Sequence, residues 1–330
     1  MSDKIYNWGI LAAGNIAGKF AAELQSLSSG RVYAVGARDL VRAKAFAEEF
    51  GAHRYYDSYE ELAADPQVDI IYVASPHSHH AEHAQLCMNH GKPVLCEKAF
   101  ALNSSEVADM VACANRNKVF LMEAFMVPFQ PSYLEAKRLI DSGEFGKVKY
   151  IQSWFGFNKS PYDLSLRLFN PELGGGALLD IGLYPVFDAL YFLGEPNSIT
   201  AQAELSETGV DQSIIVRFEY SDSVSASLFA SFVSAVGVGT DIFCEKGMLR
   251  LRRNSSLDQW IEVVVRGSEV KQICFDPVTC GLKNEAIEVM KCLEQNRPES
   301  EVMPLSLSAT FMKILDKIRQ KAGIVYPGRD

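Results

Sequence analysis

Residues 7–18 read NWGILAAGNIAG, an apolar strand followed by a turn of small residues and the start of a helix. This order of elements is the context in which a dinucleotide fingerprint is meaningful. Gly14 and Ala17 match the second and third positions of G-x-G-x-x-G/A, whereas Ala12 replaces the first glycine. Small residues let backbone N–H groups approach a pyrophosphate at the helix N-terminus. We therefore predict a cofactor-binding turn formed by Ala12, Gly14, Asn15 and Ile16.

The alternation of strand and helix continues through the first part of the chain. Residues 68–74 (VDIIYVA) form a continuous apolar run, as expected of a parallel strand buried on both faces. Strands alternating with helices imply βαβ units with right-handed crossovers. We therefore predict an α/β fold that begins with a doubly wound parallel sheet, a Rossmann domain over residues 1–124. The further predicted strands are 32–37, 54–56, 94–97 and 119–122.

The end of the second strand indicates which nicotinamide cofactor binds. An NAD-preferring site usually places an acidic residue there to hold the ribose 2′-hydroxyl. Here the strand is followed by Arg38 and Asp39. An arginine can stack on adenine and pair with a 2′-phosphate, so NADP is favoured, and Asp39 keeps NAD as the alternative.

Residues 94–100 (VLCEKAF) place an acid and a base directly after a buried strand. Ligands of open α/β sheets bind beyond the carboxyl ends of the strands, so Glu97 and Lys98 are expected at that crevice. A strand-end ion pair is the simpler interpretation of these two residues alone. The loop after the preceding strand contributes further candidate cofactor residues, Ser75, Pro76, His77 and His80.

Five of the six histidines lie within residues 77–90. His79 and His83 are four residues apart on a predicted helix, a spacing that can bind zinc. No cysteine or carboxylate lies at ligand spacing except Glu82, which points elsewhere on the helix. We therefore predict no metal site and expect a polar helix N-terminus at the cofactor crevice.

Composition changes near residue 124, and a second domain is predicted over residues 125–330. Residues 213–220 (SIIVRFEY) show the alternation of a half-exposed antiparallel strand. We predict an α+β domain with one large open, mostly antiparallel sheet, whose C-terminal helices could pack back on the first domain. An open sheet must cover its second face, which suggests a homodimer or homotetramer.

Residues 174–185 (GGGALLDIGLYP) follow the first strand of this domain. Asp180 and Tyr184 are four residues apart and share a face if this turn is helical. Pro185 has no N–H, so the helix either kinks there or restarts with Pro185 in its first turn. Arg167 lies just upstream, either as a substrate-positioning residue or in a surface ion pair. Tyr184 could equally be a tyrosine that satisfies a structural carboxylate.

Taken together, these motifs resemble the glucose–fructose oxidoreductase / inositol dehydrogenase / MocA family over nearly the whole chain. Within it the chain is most similar to the dihydrodiol dehydrogenase and NADP-type sugar dehydrogenase branch. The resemblance to the family rests on residues 9–17, on Ser75-Pro76 with His80, on Cys96-Glu97-Lys98 and on residues 174–184. The similarity to this branch rests on Arg38, Asp39 and Arg42.

The resemblance implies an NAD(P)-dependent enzyme that acts on a secondary alcohol or ketone of a sugar, cyclic polyol or dihydrodiol. It implies that Lys98 contacts cofactor and substrate, that Tyr184 stands where many members carry a histidine acid/base, and that Asp180 orients substrate. Ala99 replaces the usual proline after the lysine, and Met126 and Pro128 replace residues that are often Trp or Arg. These departures leave the substrate class open.

A tyrosine with a pKa near ~10 is a weak base unless a nearby ammonium lowers its pKa. The proton is therefore handled either by Tyr184 with Lys98 beside it, or by Lys98 itself. Two other functions compete with a dehydrogenase: a non-catalytic cofactor-binding sensor, and a glycoside hydrolase that uses tightly bound NAD.

Composition narrows the partners and the location. The net charge is −9 and no block of Lys and Arg occurs, which argues against nucleic acid or anionic membrane as partners. No apolar run approaches the ~18 residues of a membrane span, and no signal peptide is evident. Seven scattered cysteines without a Cys-x-x-Cys pair are typical of reduced thiols, so a cytoplasmic location is expected.

Overall fold

The computed structural model describes residues 4–159, 163–253, 259–265, 267–275 and 281–329. The chain divides into two compact units. The first unit contains Met1–Met126 and Thr279–Met312, and the second contains Val127–Val278 and Lys313–Asp330. A segment from late in the sequence thus completes the first unit.

The first unit is built on a six-stranded parallel sheet with strand order β3-β2-β1-β4-β5-β6. The order reverses direction between β1 and β4, and this switch point is where doubly wound folds bind ligands. The strands are β1 (Tyr6–Leu11), β2 (Gly30–Gly36), β3 (Arg54–Tyr56), β4 (Ile70–Val73), β5 (Val94–Glu97) and β6 (Leu121–Ala124). The helices are α1 (Asn15–Leu24), α2 (Leu40–Phe50), α3 (Tyr59–Ala64), α4 (His80–Asn89), α5 (Ser104–Asn117) and α8 (Leu282–Glu294), with the first part of α9 (Leu305–Ala322).

Side-chain caps explain where several of these helices begin. Ser58 accepts a hydrogen bond from the Glu61 amide at the start of α3, at the Ser-x-x-Glu spacing of a capping box. Asn103 accepts from the Glu106 amide at the start of α5 in the same way. In contrast, α1 begins at Gly14 without any side-chain cap.

The second unit is built on an eight-stranded sheet with order β14-β13-β12-β11-β7-β10-β9-β8. All neighbours pair antiparallel except β7 and β10, which are parallel. The strands are β7 (Val148–Asn158), β8 (Ser198–Leu205), β9 (Asp211–Glu219), β10 (Ser225–Ser231), β11 (Val233–Cys244), β12 (Gly247–Arg253), β13 (Gln259–Val265) and β14 (Lys271–Phe275). The helices are α6 (Pro131–Asp141) and α7 (Leu183–Leu193), with the last part of α9.

The predicted fold is confirmed: a parallel Rossmann sheet is followed by a mostly antiparallel one. One detail differs. The sequence predicts one strand over residues 224–233 and another over 239–244, but β10 ends at Ser231 and β11 runs from Val233 to Cys244. The pairing of β11 with β7 then shifts register before Gly237, whose φ of 73° places it in the left-handed region. The irregular pairing at Gly237 therefore lies inside β11, in the interval that the sequence leaves between its two predicted strands.

One segment is longer and more apolar than the sequence interpretation allowed. Pro171–Leu193 spans 23 residues, and its most apolar window has a mean hydropathy of 1.4. Within that window, 78% of the residues are buried inside the protein. The segment has the character of a core helix, because α7 packs against β7 and β10 of its own unit.

Candidate active site

The turn after β1 is shaped to receive an anionic group. Ala12 has a φ of 77°, the left-handed conformation that glycine adopts most easily, and its carbonyl accepts a hydrogen bond from the Gly14 amide at 3.1 Å. A Cβ added at Gly14 would meet nothing within 4 Å. Because no side chain caps α1, the amides of Asn15 and Ile16 in its first turn are available to a phosphate. This open, uncapped helix N-terminus fits a dinucleotide pyrophosphate.

The corner between β2 and α2 carries two guanidinium groups. Arg38 is exposed, and Arg42 donates from Nη2 to the Ala13 carbonyl at 3.2 Å, next to the pyrophosphate turn. Burial raises the pKa of Tyr59, and the charges of Arg38 and Arg42 oppose this increase, so both lie near that phenol. Asp39 caps α2, since its Oδ1 accepts from the Val41 amide at 2.8 Å. A carboxylate engaged in this way is less suited to hold a ribose hydroxyl, whereas two cations suit a phosphate.

Arg42 was not among the predicted cofactor residues. Its signal in the sequence is a second arginine in the first turn of the helix that follows β2.

The loop after β4 is held in place by histidine hydrogen bonds. His80 is fully buried, and its Nε2 and Nδ1 lie 2.7 Å from the carbonyls of Ser75 and Ala99, respectively. The Ser75 hydroxyl lies 2.9 Å from Nδ1 of His83, whose pKa burial lowers to about 4. His80 therefore braces the β4 loop against the segment that follows Lys98. Direct contact of Ser75, Pro76, His77 and His80 with a cofactor stays a prediction.

His79 and His83 stack with their ring centroids 5.5 Å apart. Over the described ranges, no group of three or more metal-ligating side chains is arranged to hold an ion. Their geometry is that of packed rings beside the loop.

The end of β5 exposes the lysine and buries the acid. Lys98 is half-buried, and its backbone amide donates to Oε2 of Glu97 at 3.1 Å. Glu97 is 5% exposed, and its Oε1 accepts a short hydrogen bond from the Tyr72 hydroxyl. Burial and the neighbouring Glu97 raise the pKa of Tyr72 well above its ordinary value. Glu97, held by Tyr72, thus holds the backbone at Lys98. The Lys98–Ala99 peptide bond is cis.

Tyr72 is a supporting residue that the sequence interpretation missed. It is the one phenol within the apolar run of residues 68–74, and that is the only signal of a polar role.

In the second unit, the segment that leads into α7 brings the predicted substrate residues together. Arg167 and Asp180 form an ion pair with Nη2 and Oδ1 2.9 Å apart. The Asp180 side chain is 14% exposed and that of Arg167 is 39% exposed. A partly exposed pair of this kind can both orient a polar substrate and exchange partners with it.

Asp180 lies in a π-helical turn, Leu178–Gly182, and Tyr184 in the first turn of α7. The chain passes from this π-helical turn into α7 without leaving the helical region of φ and ψ, so neither a break nor a restart separates them, and Pro185 is the third residue of α7. The half-buried ring of Tyr184 packs with its centroid 5.5 Å from that of Phe155. π-Turns are frequent at functional sites, so this irregularity marks the segment.

Each unit thus assembles its own share of the predicted site. In the first unit, the pyrophosphate turn, Arg38 and Lys98 follow the carboxyl ends of parallel strands of one sheet. In the second unit, Arg167, Asp180 and Tyr184 lie on one short segment. The joint action of Lys98 with Tyr184 is part of the proposal below.

Comparison with known proteins agrees with this arrangement. Residues 6–125 match the oxidoreductase family with an NAD-binding Rossmann fold, and residues 133–250 match the GFO/IDH/MocA C-terminal domain. The trans-1,2-dihydrobenzene-1,2-diol dehydrogenase of Xenopus laevis is 40% identical, with 97% of this chain and 99% of that protein covered. The human protein of the same name is 36% identical, with 97% and 98% covered.

Solved structures share the fold at lower identity. KijD10, a 3-ketoreductase from Actinomadura kijaniata in complex with NADP and TDP-benzene, has a TM-score of 0.87 at 23% identity, with 97% of this chain and 98% of that chain covered. Aldose-aldose oxidoreductase from Caulobacter crescentus, complexed with glycerol, has a TM-score of 0.87 at 21% identity and the same coverage. The chain belongs to the GFO/IDH/MocA oxidoreductase family, and it is an NAD(P)-dependent dehydrogenase that acts on CH–OH groups.

Proposed function

We propose that this enzyme oxidises one hydroxyl-bearing carbon of a cyclic vicinal diol, a trans-dihydrodiol or a related cyclic polyol, with NADP⁺ as the hydride acceptor. The observation that carries the proposal is the end of β5, where Lys98 leaves a parallel sheet on a buried support of Glu97 and Tyr72. An ammonium at this crevice suits a developing alkoxide. The diol is proposed from the relatives that align with the whole chain and are named for a dihydrodiol.

The cofactor preference follows from the cationic corner. The 2′-phosphate of NADP carries the charge that Arg38 and Arg42 would recognise, and Asp39 already serves as the cap of α2. The turn of Ala12 and Gly14 would hold the pyrophosphate at the start of α1. When bound, the nicotinamide supplies the acceptor for the hydride.

The chain itself handles the proton. We propose that Tyr184 takes the hydroxyl proton of the substrate, while the Lys98 ammonium lowers the pKa of that phenol and stabilises the alkoxide. The Arg167–Asp180 pair would orient the second hydroxyl, since an acceptor carboxylate and a guanidinium donor lie 2.9 Å apart there. Lys98 as the proton carrier is the alternative, and comparison of Lys98→Met with Tyr184→Phe separates the two.

We also propose that a second copy of the chain covers the open face of the eight-stranded sheet. Helix α7 packs on one face, and the other presents a cavity of about 400 Å³. Ile215 is 58% exposed and Val236 46% exposed on this face, close to the rings of Trp154 and Phe229. An apolar patch of this kind on an open sheet suits a self-complementary interface. Light scattering on wild type and on Ile215→Asp tests this, and a monomeric wild type would contradict it.

The experiment that tests the proposed function is a turnover assay. Purified enzyme is mixed with NADP⁺ and trans-1,2-dihydrobenzene-1,2-diol, and then with a panel of cyclic polyols and sugars, while the absorbance of the reduced cofactor is followed. We expect net reduction of NADP⁺ with a diol or polyol. Cofactor binding without net reduction on any substrate would contradict the proposal and favour a sensor or a hydrolase with bound cofactor.

A further inference from the structure

Asp211, the first residue of β9, lies against the glycine segment that precedes Asp180 and Tyr184. It is fully buried, and its Oδ2 accepts a hydrogen bond from the Leu178 amide at 2.6 Å. Leu178 begins the π-helical turn that contains Asp180. The carboxylate therefore caps this helical segment in place of a local side chain, because the residue at the N-cap, Ala177, makes no side-chain hydrogen bond.

The glycines of this segment are needed for the approach of that carboxylate. A Cβ added at Gly176 would lie 2.2 Å from Oδ1 of Asp211, and the φ of Gly176 is 117°. A Cβ added at Gly175 would lie 2.7 Å from the carbonyls of Arg167 and Leu168. Any side chain at either position would displace the segment.

The C-terminal part of the unit closes the other side of the same segment. The Tyr326 hydroxyl donates to the Gly175 carbonyl at 2.7 Å, and Tyr326 is 1% exposed. The guanidinium of Arg319, itself 5% exposed, lies 5.0 Å from the centroid of the Tyr326 ring. Two buried polar groups, one from β9 and one from beyond α9, thus hold Gly175 and Gly176 by a hydrogen bond and by close packing.

We propose that Asp211 is a positioning residue for catalysis: it caps the helical segment that carries Asp180 and Tyr184 and, with Tyr326, sets the position of both side chains. The inference rests on the function proposed above. It assigns Asp211 no contact with substrate or cofactor. Its effect passes through the backbone of residues 175–178, and displacements of about 1 Å in a reacting group are known to reduce turnover by ~100-fold.

The cap also couples the segment to pH. Burial raises the pKa of Asp211 to about 7, while the amides of Leu178 and Ala177 and the charge of Arg319 oppose this increase. An ionised carboxylate is the stronger acceptor for the Leu178 amide. Turnover of wild type should therefore decline as the pH falls below neutrality. This decline should be absent in Asp211→Asn, whose amide acceptor does not titrate.

The test compares Asp211→Ala, which removes the acceptor, with Asp211→Asn, which retains an acceptor that does not titrate. The control is Leu249→Ala, which opens a cavity in β12 of the same unit without touching the segment. Turnover with NADP⁺ and diol is measured across pH, along with hydrogen exchange of the amides in residues 174–186. If the alanine variant does not fold, Tyr326→Phe replaces it.

We expect Asp211→Ala to lower kcat at least ~10-fold with cofactor affinity unchanged, and Tyr326→Phe to lower kcat less, about 3-fold. In both, amides 177–184 should exchange faster than in wild type. Asp211→Asn should restore most of kcat and lose the acidic decline. Wild-type kcat and exchange in Asp211→Ala, or an equal loss in Leu249→Ala, would overturn the inference. If wild type turns over no diol, the proposed function fails, and the exchange measurement still decides the positioning role.

Discussion

Glu123→Gln should make the stability of this protein less dependent on pH. Glu123 lies on β6 and is 1% exposed. Burial raises the pKa of its carboxyl from 4.5 to about 7, and the neighbouring Glu97 adds to the increase, while the nearby Ser308 hydroxyl and the Phe100 amide oppose it. Among the described residues, Oε2 of Glu123 has no hydrogen-bond partner. The folded state therefore prefers the protonated carboxyl.

The sign and size of this effect on the free energy of unfolding follow from the pKa of Glu123 in the unfolded and folded states. Below pH 4.5 the carboxyl is protonated in folded and unfolded chains, and the full stabilisation is present. Between pH 4.5 and about 7 the unfolded chain ionises while the folded protein keeps its proton, so this stabilisation is lost progressively and is gone once the pH has risen through about 7. The interval between the pKa values corresponds to about 3 kcal/mol, at about 1.4 kcal/mol per pH unit. The amide of glutamine carries no such penalty.

The assay is urea denaturation of wild type and Glu123→Gln from about pH 4.5 to about pH 8, with Glu48→Gln on the exposed face of α2 as the control. The free energy of unfolding of Glu123→Gln, relative to wild type, should rise by up to about 3 kcal/mol across this range. The control should show no such rise. A difference between Glu123→Gln and wild type that is constant with pH would refute the reasoning.

Two further predictions concern the cofactor half. Ala12→Gly should raise the free energy of unfolding by up to about 1 kcal/mol. The left-handed φ of 77° costs alanine roughly 1–2 kcal/mol, and the larger conformational entropy that glycine loses on folding offsets part of this gain. A variant that is less stable than wild type in denaturant unfolding would contradict this. Arg38→Ala should raise the Kd of NADPH by ~10-fold or more and that of NADH by less than ~3-fold, since only NADPH offers a phosphate to the guanidinium. Fluorescence titration measures both constants, and an equal loss for the two cofactors would place Arg38 away from the 2′-phosphate.

The fold was largely readable from the sequence because its signals are local. The run of residues 68–74 and the strand, turn and helix of residues 7–27 each show their period within a dozen or so residues. The helical segment of Asp180 and Tyr184 was also predicted, since its glycines and proline punctuate it directly.

The supports of the site could not be read in this way. Asp211 lies 33 residues from Leu178, Tyr326 lies 151 residues from Gly175, and Tyr72 lies 25 residues from Glu97. Each pair meets only because the topology brings distant strands and the C-terminal segment together. The continuation of β11 through the irregular pairing at Gly237 escaped for a related reason, because register is set by the partner strand and not by the strand's own period.

We propose that Lys98 serves the chemical step and not cofactor retention. Its most direct test measures single-turnover reduction of NADP⁺ and the Kd of NADPH for Lys98→Met, with Tyr184→Phe alongside. We predict that Lys98→Met loses at least ~100-fold in turnover while it binds NADPH as wild type does. A comparable loss in Tyr184→Phe assigns the proton to the phenol, and a much smaller one assigns it to the lysine. Near wild-type turnover in Lys98→Met would contradict the account.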